Sequence, residues 1–304
     1  MKSAQPKVVH AIAGRPMVDY VIDTALSISD LCPIVVIGYG ADSVRTAIGD
    51  RVEYVFQTEQ RGTGHAMLQT RDKIDPSAEI VLVLYGDTPF ITPETLRDMI
   101  DAHAKAKATL TLLTFKPNDP ANYGRIVRAP TGKVKNIIEY KEATPEQRTI
   151  REVNSGFVCY HAKWLGEHLP KLQPQPGHGE LYLTDLVSMA ARERATIATC
   201  EASEAEVLGI NDRVELARAE QLMRDHINHN LMLNSVTLID PAHTYIQASV
   251  TIGADTIVYP GTHLYGKTAI GSHCQIGPAT IIHDSQIGNH CTIVASMLEG
   301  ATLE

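Results

Sequence analysis

From residue 246 onward one aliphatic residue returns at almost constant spacing, and this period restricts the fold more than any other feature of the chain. Ile246, Ile252, Val258, Leu264, Ile270, Ile276 and Ile282 stand six residues apart. Ile287 follows after five residues, Ile293 after six, and Leu298 and Leu303 after five each. Glycine comes directly after the aliphatic in Ile252-Gly253, Ile270-Gly271, Ile276-Gly277 and Ile287-Gly288. A hexapeptide period is that of a parallel β-helix: three short strands make one triangular coil. The aliphatic side chain points inward and stacks on its counterpart in the next coil, while glycine and small residues permit the tight corners. The period runs on to Leu303-Glu304 with no capping segment after it, so the expectation is a partial β-helix. His273 and His290 stand three places after Ile270 and Ile287, and Cys274 and Cys291 one place later. Stacked His and Cys allow a metal reading. The preferred reading is that the thiols fill slots for small buried residues, with the histidines at solvent-facing corners.

The first 210 residues have another texture. CPIVVIGYG (32–40), RVEYVFQTE (51–59), EIVLVLYGD (79–87), TLTLLTF (109–115) and VNSGFVCYH (153–161) read as strands. The near-continuous apolar run of 79–87 is that of a strand buried on both faces of a parallel sheet. Between these strands, Met17, Val18, Val21, Ile22 and Ala25 recur at helical spacing. So do Leu96, Met99, Ile100 and His103, behind a Thr92-Pro93-Glu94 helix start. Strands alternating with helices predict an α/β sheet with right-handed crossovers. Asp212 and Glu215 form a plausible capping box, and Leu216, Ala219, Leu222, Met223 and Ile227 mark one face of the helix that follows. The expected division is 1–210 for the α/β domain, 211–235 for a connecting helix and 236–304 for the β-helix, in keeping with 304 residues.

Composition removes several classes of function. Asp and Glu number 35 against 27 Lys and Arg, a formal charge of -8, which argues against a nucleic-acid binder. The five cysteines include no CxxC pair and fit reduced thiols in a cytosol. No apolar run reaches membrane-spanning length and the N-terminus has no apolar signal core. A cytoplasmic protein is expected.

Several residues carry possible chemistry, and each taken alone has a plainer reading. Asp87 closes an apolar strand where open α/β sheets bind ligands, and a carboxylate there suits Mg²⁺. It also reads as a solvated turn residue. Tyr85-Gly86 before it lets backbone come close to a substrate. Gln57 with Gly62-Thr63-Gly64-His65-Ala66 offers an amide and loop N–H groups to the edge of a base, or is an ordinary loop between strand and helix. Lys7 stands just before the first helix, as a phosphate-binding point charge or a surface lysine. Asn122-Tyr123-Gly124-Arg125, Glu139, Asn154-Ser155-Gly156 and Asn211 lie around strand ends. Glu180–Asp185 reads as a helix start.

In order, PKVVH (6–10), QTEQRGTGHA (57–66), LYGDTP (84–89), YGRIV (123–127), IEYKEAT (138–144), VNSGF (153–157), GELYLTDL (179–186) and GINDR (209–213) change that balance. Together with the hexapeptide repeats, this set resembles the bacterial bifunctional N-acetylglucosamine-1-phosphate uridylyltransferase / glucosamine-1-phosphate N-acetyltransferase family, over essentially the whole chain. The resemblance implies a Rossmann-like α/β nucleotidyltransferase domain followed by a left-handed β-helix. It implies that UTP and N-acetylglucosamine-1-phosphate are joined into UDP-N-acetylglucosamine, a cell-wall precursor, with release of pyrophosphate. On that likeness Lys7 touches the phosphates, and Gln57, Gly62 and Thr63 read uracil. Tyr85 and Gly86 line the substrate, Asp87 and Asn211 hold Mg²⁺, and Gly124, Glu139 and Asn154 bind the amino sugar. Lys7 and Asp87 are the catalytic pair, and the family assembles as a homotrimer through its β-helix.

Two departures from the family pattern set further expectations. The family opens with a strand and a glycine-rich LAAGxGTRM loop before the PKV segment, and Met1 stands at that motif's last position. Backbone N–H groups of such a loop cradle phosphates, so the resemblance implies little uridylyltransferase activity for this chain. The family's acetyltransferase residues lie in coils beyond residue 304, which implies an inactive acetyltransferase half. The competing readings are another sugar-1-phosphate nucleotidylyltransferase, using a different base or sugar, and a non-catalytic paralogue.

Overall fold

A computed structural model describes the chain from residue 1 to 304 apart from residues 121 and 176–178. In chain order the first elements are β1 (Ala11–Ile12), β2 (Arg15–Pro16), α1 (Met17–Leu26), β3 (Ile34–Ile37), α2 (Ala41–Ile48), β4 (Glu53–Phe56), α3 (Thr63–Gln69), β5 (Ile80–Val83) and α4 (Pro93–Ala106). There follow β6 (Leu110–Phe115), β7 (Arg125–Arg128), β8 (Val134–Ile138), α5 (Pro145–Arg148), β9 (Val153–His161), α6 (Ala162–His168), α7 (Asp185–Arg192), β10 (Ile197–Glu201) and α8 (Arg213–Leu233). The C-terminal strands are β11 (Thr237–Leu238), β12 (Thr244–Ile246), β13 (Thr251–Ile252), β14 (Ile257–Val258), β15 (Thr262–Tyr265), β16 (Ala269–Ile270), β17 (Gln275–Ile276), β18 (Ile281–His283), β19 (Gln286–Ile287), β20 (Thr292–Ile293), β21 (Met297–Glu299) and β22 (Thr302–Leu303). Two compact units result. The larger holds Ala4–Val9 and Met17–Gly209; the smaller holds Met1–Ser3, His10–Pro16 and Ile210–Glu304. The division is therefore not contiguous in sequence, and α8 belongs with the β-helix.

The larger unit is mixed α/β. Its main sheet runs β10-β6-β9-β7-β8, with β5 also paired to β9. Among the described residues only β10 and β6 are parallel in it; β9 runs antiparallel to β5, β6 and β7. The expectation of a parallel position for 79–87, buried on both faces, is corrected here. Ile80–Val83 pair antiparallel with Val158–His161 and are only half-buried. The apolar run that is wholly buried is β6, all six residues of it. Local apolar density cannot tell these two strands apart, because burial depends on what covers them. β3 and β4 form a separate parallel pair.

Helices seal these sheets. Met17, Val18, Val21 and Ile22 of α1 are buried, and Val18 and Ile22 pack with Ile37, Val44, Ile48 and Val52. α4 starts as expected: Thr92 Oγ1 accepts from the Thr95 N–H at 3.3 Å, with Pro93 in the first turn. Leu96 and Met99 then meet Leu113, Phe115 and Phe157 in the core. Buried His103 contacts Thr111 Oγ1 at 3.0 Å, and burial pushes its imidazole below the ordinary histidine value.

The smaller unit is built on α8 and three four-stranded parallel sheets, β11-β14-β17-β20, β12-β15-β18-β21 and β13-β16-β19-β22, the faces of a left-handed β-helix. α8 opens with the complete capping box of Asp212 and Glu215. The periodic aliphatics are paired directly: Val258 with Ile276 and then Ile293, Leu264 with Ile282, and Ile270 with Ile287. Each buried member is worth about 1.5–3 kcal/mol relative to exposure. A second buried register stands two places earlier, in Thr244, Thr256, Thr262, Thr268, Thr280 and Ser285. Their hydroxyls reach backbone carbonyls: Thr256 donates to Gly271 at 2.8 Å and Thr262 to Tyr259 at 2.7 Å. Cys274 fills the same kind of slot and is buried; Cys291 is half-buried. His273 and His290 stack at exposed corners with ring centres 5.0 Å apart and φ near +60°. Among the described residues no group of three or more His, Cys, Asp or Glu could hold a metal ion. No helix among them is long and apolar enough to cross a membrane.

Candidate active site

The larger unit gathers polar groups at the ends of β4, β5, β8 and β9. Asp87 follows β5 and pairs directly with Lys7, which sits in a single 3₁₀ turn, Lys7–Val9. Both groups are partly exposed, so the pair is reachable by ligands. Gly86 between strand and carboxylate lies under α1; a Cβ there would come 3.1 Å from Val18 and 3.4 Å from Val8. Tyr85 is held edge-on to Phe157, 6.1 Å between ring centres. Burial, then the charges of Asp87 and Glu139, push its hydroxyl up to about 12. Tyr85 therefore stays a neutral donor between two carboxylates.

Gly124, Glu139 and Asn154, far apart in sequence, come together at this end of the sheet. The Asn154 N–H donates to the Gly124 carbonyl at 2.8 Å. A Cβ on Gly124 would stand 2.9 Å from Ile137 Cγ2, too close for both to stay, while meeting both Glu139 oxygens at an ordinary contact distance of 3.5 Å. Glu139 has its carboxyl held above the ordinary value, first by burial and then by Glu142 and Asp185. Asp185 is raised the same way, and Gln175 donates to it at 2.6 Å. Glu142 was not singled out from the sequence, and Asp185 only as the end of a helix start; their proximity to Glu139 in the fold draws attention to them.

The third group lies at the start of α3. Gly62 adopts φ 92° and ψ 175°, a region almost reserved for glycine. A Cβ on it would lie 2.5 Å from the Leu181 carbonyl oxygen. The GELYLTD segment clamps this loop: the Leu181 N–H donates to the Arg61 carbonyl and the Gly64 N–H to the Leu181 carbonyl, both at 2.8 Å. The Leu183 N–H donates to Thr63 Oγ1 at 3.0 Å. The loop N–H groups expected to be open to a base are thus partly spent; Glu180–Leu183 is a clamp, and the expected helix start falls at the end of the segment, where Thr184 is the N-cap residue of α7, which begins at Asp185. Gln57 closes on the same loop, donating to the Gly62 carbonyl at 3.2 Å and lying 3.0 Å from His65 Nδ1.

Asn211 lies in the smaller unit, one residue before the α8 cap. Its carbonyl accepts from the Met1 amine at 2.8 Å, and its N–H donates to Glu215. Asn211 is an exposed residue.

Comparison with known proteins places this arrangement. The nucleotidyl transferase family profile matches residues 2–205. A relative from Geobacillus sp. (strain WCH70), called bifunctional protein GlmU, is 45% identical over 294 residues, covering 96% of this chain and 64% of the relative. A protein of the same name from Heliobacterium modesticaldum is 43% identical over 299 residues, 98% of this chain and 65% of the relative. A third, from Halalkalibacterium halodurans, is 41% identical over 304 residues, 99% of this chain and 66% of the relative. The chain thus spans a little under two thirds of the length of these relatives. The matched residues contain every site element of the larger unit just described, and this chain belongs to the nucleotidyl transferase family.

Proposed function

We propose that the larger unit joins UTP and N-acetylglucosamine-1-phosphate into UDP-N-acetylglucosamine, with pyrophosphate as the other product. The observation that supports it most is the single site in which the Lys7–Asp87 pair, Tyr85 and the Gly124–Glu139–Asn154 group meet. In this reading Gln57, Gly62 and Thr63 face the base, and Gly124, Glu139 and Asn154 face the amino sugar.

The chemistry suits these residue types. A phosphate oxygen of the sugar phosphate attacks the α-phosphorus, and the bond from that phosphorus to the bridging oxygen of the pyrophosphate breaks. The nucleophile is already an anion, so no strong base is required; alignment and charge neutralisation carry the acceleration. Lys7 and Asp87 neutralise one another in the structure. A polyphosphate with its cation offers each a new partner, phosphate oxygen for Lys7 and metal for Asp87. A carboxylate of this kind, partly exposed and beside polyphosphate, fits Mg²⁺, which takes one or two protein oxygens plus phosphates. Mg²⁺ would offset charge on the leaving pyrophosphate.

The test combines binding and turnover. The chain is titrated with UDP-N-acetylglucosamine in Mg²⁺ and then assayed with UTP and the sugar phosphate for pyrophosphate release. Saturable product binding that is lost in Asn154→Ala and Glu139→Ala supports the reading. No binding of UTP or of the product would sink it. The proposal includes cytoplasmic residence and a homotrimer formed through the β-helix, where Val294 and Met297 are exposed; light scattering tests the assembly.

A further inference from the structure

Gln57 has a fixed orientation: the Gly62 carbonyl sets it and His65 supports it. The residue follows β4 and lines a cavity of about 510 Å³ with Gly38, Tyr39, Phe56, Thr58 and Gln60. Its Nε2 lies 3.2 Å from the Gly62 carbonyl oxygen. A carbonyl only accepts, so that contact determines which end of the amide is nitrogen. The same Nε2 lies 3.0 Å from His65 Nδ1. Its second hydrogen goes there, and Nδ1 is the acceptor. A neutral imidazole has one acceptor nitrogen, and a rival contact exists: Gln69 Nε2 stands 3.3 Å from His65 Nε2. The shorter contact takes the acceptor, and Gln69 keeps its donation to the His65 backbone carbonyl, also 3.3 Å.

Both hydrogens of the Gln57 amide are then spent, and its Oε1 has no partner among the described residues. Gln57 is half-buried, and Oε1 is not among the buried unpartnered atoms. What the side chain offers a ligand is an acceptor alone. Uracil presents a ring N3–H donor to such a group. Cytosine presents an N3 lone pair at that position, and two acceptors facing one another leave both without a hydrogen.

We propose that His65 is a positioning residue for base specificity. Together with the Gly62 carbonyl it holds the Gln57 amide so that Oε1 is the group left for the base, which strengthens the selection of uracil over cytosine. This rests on the reading that the site takes a pyrimidine nucleotide. With the Nδ1 acceptor gone, the Gly62 carbonyl alone holds the amide, and the hold on its orientation weakens. His65 itself is kept in place at the start of α3, where Gly64 is bonded to Leu181 and Thr63 to Leu183.

The experiment measures UTP and CTP binding in Mg²⁺ by calorimetry for the unaltered chain, His65→Phe and His65→Asn, with melting curves for each. Asparagine carries an acceptor oxygen near the position of Nδ1; phenylalanine carries none. The unaltered chain is expected to prefer UTP by at least about tenfold, and H65F to lose about tenfold in UTP affinity with the preference narrowed, the Gly62 contact alone remaining. H65N is expected to restore the preference. If H65F does not fold, H65N decides: keeping the UTP preference supports the proposal and losing it overturns it. An unchanged UTP-to-CTP ratio in folded H65F overturns the role of His65 and leaves the nucleotidyl transfer reading standing. No UTP binding by the unaltered chain overturns both.

Discussion

Replacing Gly62 with alanine tests whether the loop before α3 is clamped as described. At φ 92° and ψ 175° the residue lies in a region that costs a non-glycine residue about 1–3 kcal/mol. The new methyl would also meet the Leu181 carbonyl oxygen at 2.5 Å and the Leu181 nitrogen at 3.1 Å, both backbone atoms. Neither can retreat freely. The Leu181 N–H is bonded to Arg61 and the Leu181 carbonyl to the Gly64 N–H, both at 2.8 Å. Moving the segment away gives up one or both bonds, each worth about 0.5–1.5 kcal/mol net. With the backbone strain, a loss of about 3 kcal/mol is expected. Because the chain has two units, amide hydrogen exchange localises the effect better than one melting temperature. Protection at Gly64 and Leu181 should fall, while Leu112 and Val158 in the centre of the sheet stay protected. UTP affinity should fall with it, since Thr63 and Gln57 lose their frame. Unchanged protection at Gly64 and Leu181, with stability within about 0.5 kcal/mol of the unaltered chain, would refute the clamp.

Three further outcomes are expected. Ile276→Ala should destabilise the smaller unit by about 2–5 kcal/mol and Ile276→Val by about 0.5–1.5, because Ile276 is fully buried between Val258 and Ile293; urea unfolding of both variants checks the ratio. Glu139→Gln should change the pH dependence of stability. A carboxyl held above its ordinary value by burial and by Glu142 and Asp185 binds its proton more tightly when folded, so it costs stability as pH rises from the ordinary carboxyl value through the raised one. The glutamine variant should therefore gain melting temperature at pH 8 relative to the unaltered chain but not at pH 4, while sugar-phosphate binding weakens; an identical pH slope contradicts this. Asp87→Asn breaks the pair with Lys7 yet should change stability by no more than about 1 kcal/mol, the pair being partly exposed. Its UTP affinity in Mg²⁺ should drop to that of the unaltered chain in EDTA, and a persisting Mg²⁺ effect would clear Asp87 of metal binding.

The β-helix was legible in the primary structure because its contacts are periodic. An aliphatic that stacks on its own counterpart in the next coil must recur at the coil length, so order along the chain and order in space carry the same information. The same holds for the caps of α4 and α8, where donor and acceptor lie within three residues. Leu238 escaped the period because eight residues separate it from Ile246, although β11 joins the first sheet. The six buried hydroxyls two places ahead of the aliphatics were present as a pattern and are polar, which hid them among turn residues until the fold showed them bonded to carbonyls. In the larger unit, local signals found the strands but not their partners. That β9 lies antiparallel among β5, β6 and β7, that Lys7 meets Asp87, and that Leu181–Leu183 close on Gly62–Gly64 are pairings between segments 80 to 120 residues apart or brought together by the sheet. Such contacts depend on which backbone edge and which charge find each other on folding. Residue type states what a side chain can do; only the tertiary structure decides which group it meets, and Gln57, an amide with either end available until His65 and Gly62 take its hydrogens, is the plainest case.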